Sequence, residues 1–113
     1  MAGVAVDLAH LARYTGGDEA LNAEVLRLFD SQATELVAQL QGILEARDTK
    51  GWKQVTHTLK GAARGIGAFR LADAAAFAEP IDPSDKANAT PALATLSANA
   101  AEVQAFIRQY LKA

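Results

Sequence analysis

A chain of 113 residues with a formal net charge of -2 is long enough for one hydrophobic core and too short for two. Half of it is hydrophobic but little of that is aromatic, which suits helices in close contact, and without a basic surplus nucleic acid is not expected as a partner. The lack of cysteine removes disulfides, thiolate metal sites and thiol catalysis together.

The first stretch, MAGVAVDLAHLARYTGG, carries no basic leader. Val6, Leu8, Leu11 and Tyr14 recur at helical spacing up to Gly16 and Gly17, predicting a short helix over roughly residues 5–14. Asp18 then reads as an N-cap, its carboxylate able to accept from the unpaired amides of the next turn. A long helix over roughly 18–46 follows, carried by Leu21, Val25, Leu28, Phe29, Leu36, Leu40, Ile43 and Leu44. A third helix covers roughly 49–64, and a fourth, from Phe69 and Leu71 through the alanines, covers roughly 68–79 before Pro80 stops it. PIDPSDKANATP reads as the linker. Thr90 as N-cap and Pro91 at the first helical position open a last helix over roughly 90–112, a start at Ser84 with a kink at Pro91 being the alternative. Its buried stripe runs through Leu93, Leu96, Ala100, Val103, Ile107, Tyr110 and Leu111. The expected fold is therefore all-α, one domain over residues 1–113, an up-and-down four-helix bundle with a short extra N-terminal helix.

No apolar run reaches the roughly 20 residues that a bilayer span needs, so the expectation is a soluble cytoplasmic protein with no membrane association. The hydrophilic outer faces lead us to expect a monomer, and the initial methionine and compact ends a free-standing protein.

The third helix holds the unusual chemistry. On a helical wheel Lys53, Lys60, Gly61 and Arg64 fall within about 60° of His57, while Trp52, Val55, Leu59, Ala63 and Ile66 take the opposite side. The imidazole is thus expected to face solvent on a positive stripe, not to sit among core residues. Gly61 and Gly65 each disfavour the helix by about 1 kcal/mol relative to alanine. Either they clear a depression beside the ring for another molecule, or they permit a tight helix crossing. Gly67 reads as the end of the helix. A neutral imidazole is a competent nucleophile near pH 7. Cations one and two turns away disfavour the protonated ring and favour a phosphoryl dianion once the ring carries one.

The stretch HTLKGAARGIGAFRLADAAAFAE resembles the histidine-containing phosphotransfer (HPt) family. The family's mark is a histidine followed at the third and fourth positions by lysine and glycine, with a further glycine at the tenth. Here those are His57, Lys60, Gly61 and Gly67. VDLAHLARYTGGDEALNAEVLRLF also looks like the usual opening of such domains, so the likeness covers nearly the whole chain. It implies that His57 carries the phosphoryl group on the ring nitrogen further from the backbone, that Lys60 stabilises it, and that Gly61 leaves room for the partner. Arg64 is not fixed in the family, and its place beside the site rests on the wheel alone.

The implied partners are response-regulator receiver domains and a hybrid or cognate histidine kinase. The implied role is that of a phosphotransfer intermediate, not an autonomous kinase, and the chain holds no GxxxxGK[ST] loop. No cofactor is expected on this chain; the Mg²⁺ of the reaction belongs to the receiver. Leu11, Tyr14 and Leu28 are candidates for the partner surface, with burial in the core as the competing reading. Lys53, Arg64 and Arg70 are candidates for meeting an acidic receiver pocket, with ordinary solvation as theirs. His10 and Asp7 are three apart but make a poor metal site. Two other functions compete: a non-catalytic helical adaptor of the same fold, and a metal or cofactor bundle, for which the apolar stripes offer no inward ligands.

Overall fold

The computed structural model describes residues 4–112. Five helices follow in order: α1 (Leu8–Thr15), α2 (Glu19–Ala46), α3 (Thr49–Ile66), α4 (Phe69–Ala78) and α5 (Lys86–Lys112). α2 packs on α3 and α5, and α4 packs on the same two, so the four close a ring; α1 lies across α2 and α3. The molecule is 43 Å long, which is the length of α2 at about 1.5 Å per residue.

The core draws on every helix. Leu26, Leu40, Trp52, Leu59, Leu71, Leu96 and Ile107 are all closed to solvent. Ala33, Ala63 and Ala75 are buried between them, where a small side chain lets two backbones approach. Asp7, Asp18 and Asp48 cap α1, α2 and α3 by accepting from the amides of His10, Leu21 and Gly51.

Three boundaries differ from the sequence expectation. α1 begins at Leu8, because Asp7 is its N-cap; Val6 lies outside the helix yet is buried as an anchor. α3 runs two residues further, to Ile66, and Gly67 ends it in the left-handed region at φ 83°. There the Gly67 amide donates to Ala63 and Arg64, and the Ala68 amide donates to the Ala63 carbonyl over 2.8 Å, so only two residues separate α3 from α4.

The third difference overturns Thr90 as a cap: α5 begins at Lys86 and contains Pro91. The Asp85 carbonyl accepts from the amides of Asn88 and Ala89, and the earlier start buries Ala89 completely. Pro91 removes one hydrogen bond, the one owed to Ala87 four residues back. Ala87 is exposed, so water can take up that carbonyl.

Candidate functional site

Trp52 fixes the site's scaffold. Its indole is fully buried, and Nε1–H donates to the Ala78 carbonyl over 2.8 Å. The Ala78 carbonyl also accepts from the Ile81 amide over 3.0 Å, and the indole bond fastens this end of α4 to α3 about one turn before His57. Glu79 comes next in the chain and is thereby brought against the exposed side of α3.

The His57 side chain is 69% exposed, as the wheel requires. Its Nδ1 lies 3.0 Å from Glu79 Oε2, and the other carboxylate oxygen accepts from Lys60 Nζ over 2.6 Å. Lys60 and Glu79 are much less open than the ring, at 19% and 17%. The Lys60 hydrogen bond, more than the His57 one, holds the Glu79 carboxyl below its ordinary range against the opposing effect of burial. An ionised carboxylate only accepts, so Nδ1 is the protonated nitrogen. In the neutral ring Nε2 then carries the free lone pair, and it has no hydrogen-bond partner among the described residues.

This arrangement corrects the picture of a ring among bare cations. Lys60 is already paired, and a carboxylate stands between it and the imidazole. Arg64 is exposed and makes no ion pair among the described residues, and Lys53 is exposed as well. Arg70, by contrast, reaches Glu102 on α5 at 3.6 Å and is directed away from this face.

The glycines are clear of their neighbours. A Cβ built on Gly61 or Gly65 would meet nothing within 4 Å, so neither permits a helix crossing. Both line a depression with His10, Tyr14, Arg64 and Phe69. Through Tyr14 and Gly65 it continues into a second hollow bordered by Leu21 and Val25. Gly67 differs, since a Cβ there would lie 2.6 Å from the Asp7 carbonyl oxygen.

The candidates for the partner surface divide. Tyr14 and Leu28 are 70% and 72% exposed, whereas Leu11 is 1% exposed and belongs to the core, a correction to its place among them. Sequence reasoning missed Glu79 and Phe69. Phe69 counted only as the start of an apolar stripe, but it is exposed and lies edge-on to His10 at 5.0 Å between ring centroids. Glu79 stands 22 positions after His57, and an acid next to a helix-stopping proline was its only local sign. His10 also meets Tyr14 edge-on, and the Asp7 carboxylate caps α1 by accepting from the His10 amide. Among the described residues there is no group of three or more side chains able to hold a metal ion.

The family model of the Hpt domain matches residues 24–111, which include His57, Lys60 and Glu79. No curated protein and no solved structure gives a significant match.

Proposed function

The chain belongs to the Hpt domain family, and from that premise we propose that His57 takes a phosphoryl group from the aspartyl phosphate of one receiver domain and passes it to another. Membership makes the chain a histidine-containing phosphotransfer carrier of two-component signalling, not a kinase. The finer reading has its main support in one observation: Glu79 occupies Nδ1 and leaves Nε2 of an exposed ring unbonded.

Nε2 attacks phosphorus, the N–P bond forms as the P–O bond to the aspartyl carboxylate breaks, and that carboxylate leaves with the electron pair. Reversal against a second receiver returns the ring to its starting state. Phosphoryl transfer depends mainly on positioning and charge stabilisation. Lys60, which shares the Glu79 carboxylate with the ring, stabilises the arriving group by giving up part of its bond to Glu79. The Mg²⁺ required belongs to the receiver. Gly61 and Gly65 leave the approach to the ring open, and Tyr14, Leu21, Leu28 and Phe69 offer the receiver exposed apolar surface. Arg64 and Lys53 add positive charge for an acidic partner.

The test is a transfer assay. Receivers carrying labelled aspartyl phosphate are mixed with the protein, and a second, unlabelled receiver is then added. Acid-labile, alkali-stable label is expected on the wild-type chain and afterwards on the second receiver. His57→Gln is expected to take up none while keeping its helical content. A wild-type chain that accepts no label from a panel of receivers would overturn the reading and favour the adaptor.

A further inference from the structure

We propose that Thr15, Asn22 and Tyr110 are positioning residues: their side chains form a polar chain across three helices that holds the end of α1 where Tyr14 can meet a receiver domain. The inference rests on the carrier reading above and concerns what prepares that same surface for its partner.

α1 has little else to hold this end. It is eight residues long, too short to be stable as an isolated helix, and Leu11 and Thr15 are its only buried residues. Its beginning is fastened separately, by burial of Val6 and by the Asp7 amide, which donates to the Gly67 carbonyl over 2.9 Å. Its far end passes into Gly16 and Gly17, at φ 68° and 79°. A Cβ on either would meet nothing within 4 Å, so no neighbour wedges the turn in place.

What holds it is polar. The Thr15 hydroxyl donates to Asn22 Oδ1 over 2.5 Å, Asn22 Nδ2 donates to the Tyr110 hydroxyl over 3.3 Å, and the Gly17 amide donates back to Thr15 Oγ1 over 3.3 Å. The chain thus runs from the end of α1, through the first turn of α2, to the last turn of α5. Thr15 and Asn22 are both buried, so neither has ready access to water if its partner is lost. Among the described residues the hydroxyl has one other acceptor, the Leu11 carbonyl at 3.3 Å, and that bond stays within α1 and ties it to nothing.

Tyr14 immediately precedes Thr15, is exposed, and lines both hollows beside Gly65. An exposed ring takes its place from the backbone that carries it. A receiver then meets a surface already in position instead of one it must order, which lowers the cost of binding. Where the end of α1 is loose, apparent affinity falls with the fraction of molecules that hold Tyr14 in place, while the rate within the bound complex is unchanged. Tyr110 stands apart from that surface: it borders a hollow with Glu19, Ala23 and Arg27 that shares no residue with the two beside Gly65. Its influence on a receiver would therefore pass through Asn22 and Thr15 and not through contact.

Thr15→Val keeps the shape and removes the hydroxyl; Thr15→Ser keeps the hydroxyl. Tyr110→Phe removes the far end of the chain. Transfer from a labelled receiver is timed over a range of receiver concentrations, giving the half-saturating concentration and the rate at saturation separately. The half-saturating concentration is expected to rise about three- to tenfold in Thr15→Val and about twofold or more in Tyr110→Phe, with the rate at saturation and the helical content unchanged. Thr15→Ser should stay close to wild type. Adding Thr15→Val to Tyr14→Ala should raise the value no further than Tyr14→Ala does alone, since Thr15 acts through Tyr14. Thr15→Val and Tyr110→Phe chains that lose stability to urea yet keep the wild-type half-saturating concentration would overturn the inference and leave the carrier standing. Effects of Tyr14→Ala and Thr15→Val that multiply would overturn it as well. A wild-type chain that takes up no label would bring down both.

Discussion

A carboxylate that accepts from Lys60 and His57 together is held below its ordinary value of 4.5, first by the Lys60 bond, with the His57 bond adding and burial opposing. The unfolded chain therefore binds a proton on Glu79 more readily than the folded one does. The stability this group contributes is present in full above pH about 4.5 and is lost as the pH falls through the lower folded value. Urea unfolding of wild type and Glu79→Gln from pH 7 to 3 should show a gap in midpoint that holds down to that region and then closes. A gap of constant size to pH 3 would mean that the charge on Glu79 contributes nothing to folding. Local sequence could not have assigned this residue. His57, Lys60 and Gly61 lie within one turn or so of each other, so a helical wheel finds them. Glu79 arrives from another helix, through the chain reversal at Gly67 and the Trp52 bond to Ala78.

The glycines of α3 separate two demands on one helix. Gly61 lies in the helix interior with open space where a side chain would be. Gly61→Ala should raise stability by about 0.5–1 kcal/mol and yet slow phosphotransfer, because the methyl group narrows the approach to His57. Gly67→Ala should do the reverse. Its φ of 83° is strained for any side chain, and the new Cβ would press on the Asp7 carbonyl, so a loss of roughly 1–3 kcal/mol is expected. Chemical denaturation combined with transfer rates checks both. An equal loss of stability at the two positions would place Gly61 in packing after all. The end of α3 at Gly67 was legible because left-handed caps favour glycine. The start of α5 was not: Thr90–Pro91 is a good N-terminal signal, but burial of Ala89 favours one more turn.

At the scale of the molecule, the bundle was legible because each long helix repeats its apolar residues at threes and fours, and a closed ring of four buries all those stripes together. Less legible was which apolar residues stay outside. Leu11 and Tyr14 both fit the stripe of α1, but only Leu11 turns inward, and Leu28 on α2 likewise remains exposed. Of these, Tyr14 lines the depression beside Gly61 and Gly65 together with Phe69 and Arg64, so on the proposed reading a nucleophilic nitrogen of α3 shares its helix with an apolar, positively bordered surface. The central claim is that this nitrogen is Nε2 of His57. Protein labelled with ¹⁵N in its histidines, exposed to a phosphorylated receiver, tests it directly by NMR. The account predicts one new phosphorus–nitrogen coupling, at Nε2 of His57, with Nδ1 still bearing hydrogen. Phosphorylation at Nδ1, on His10, or on no histidine at all would contradict it.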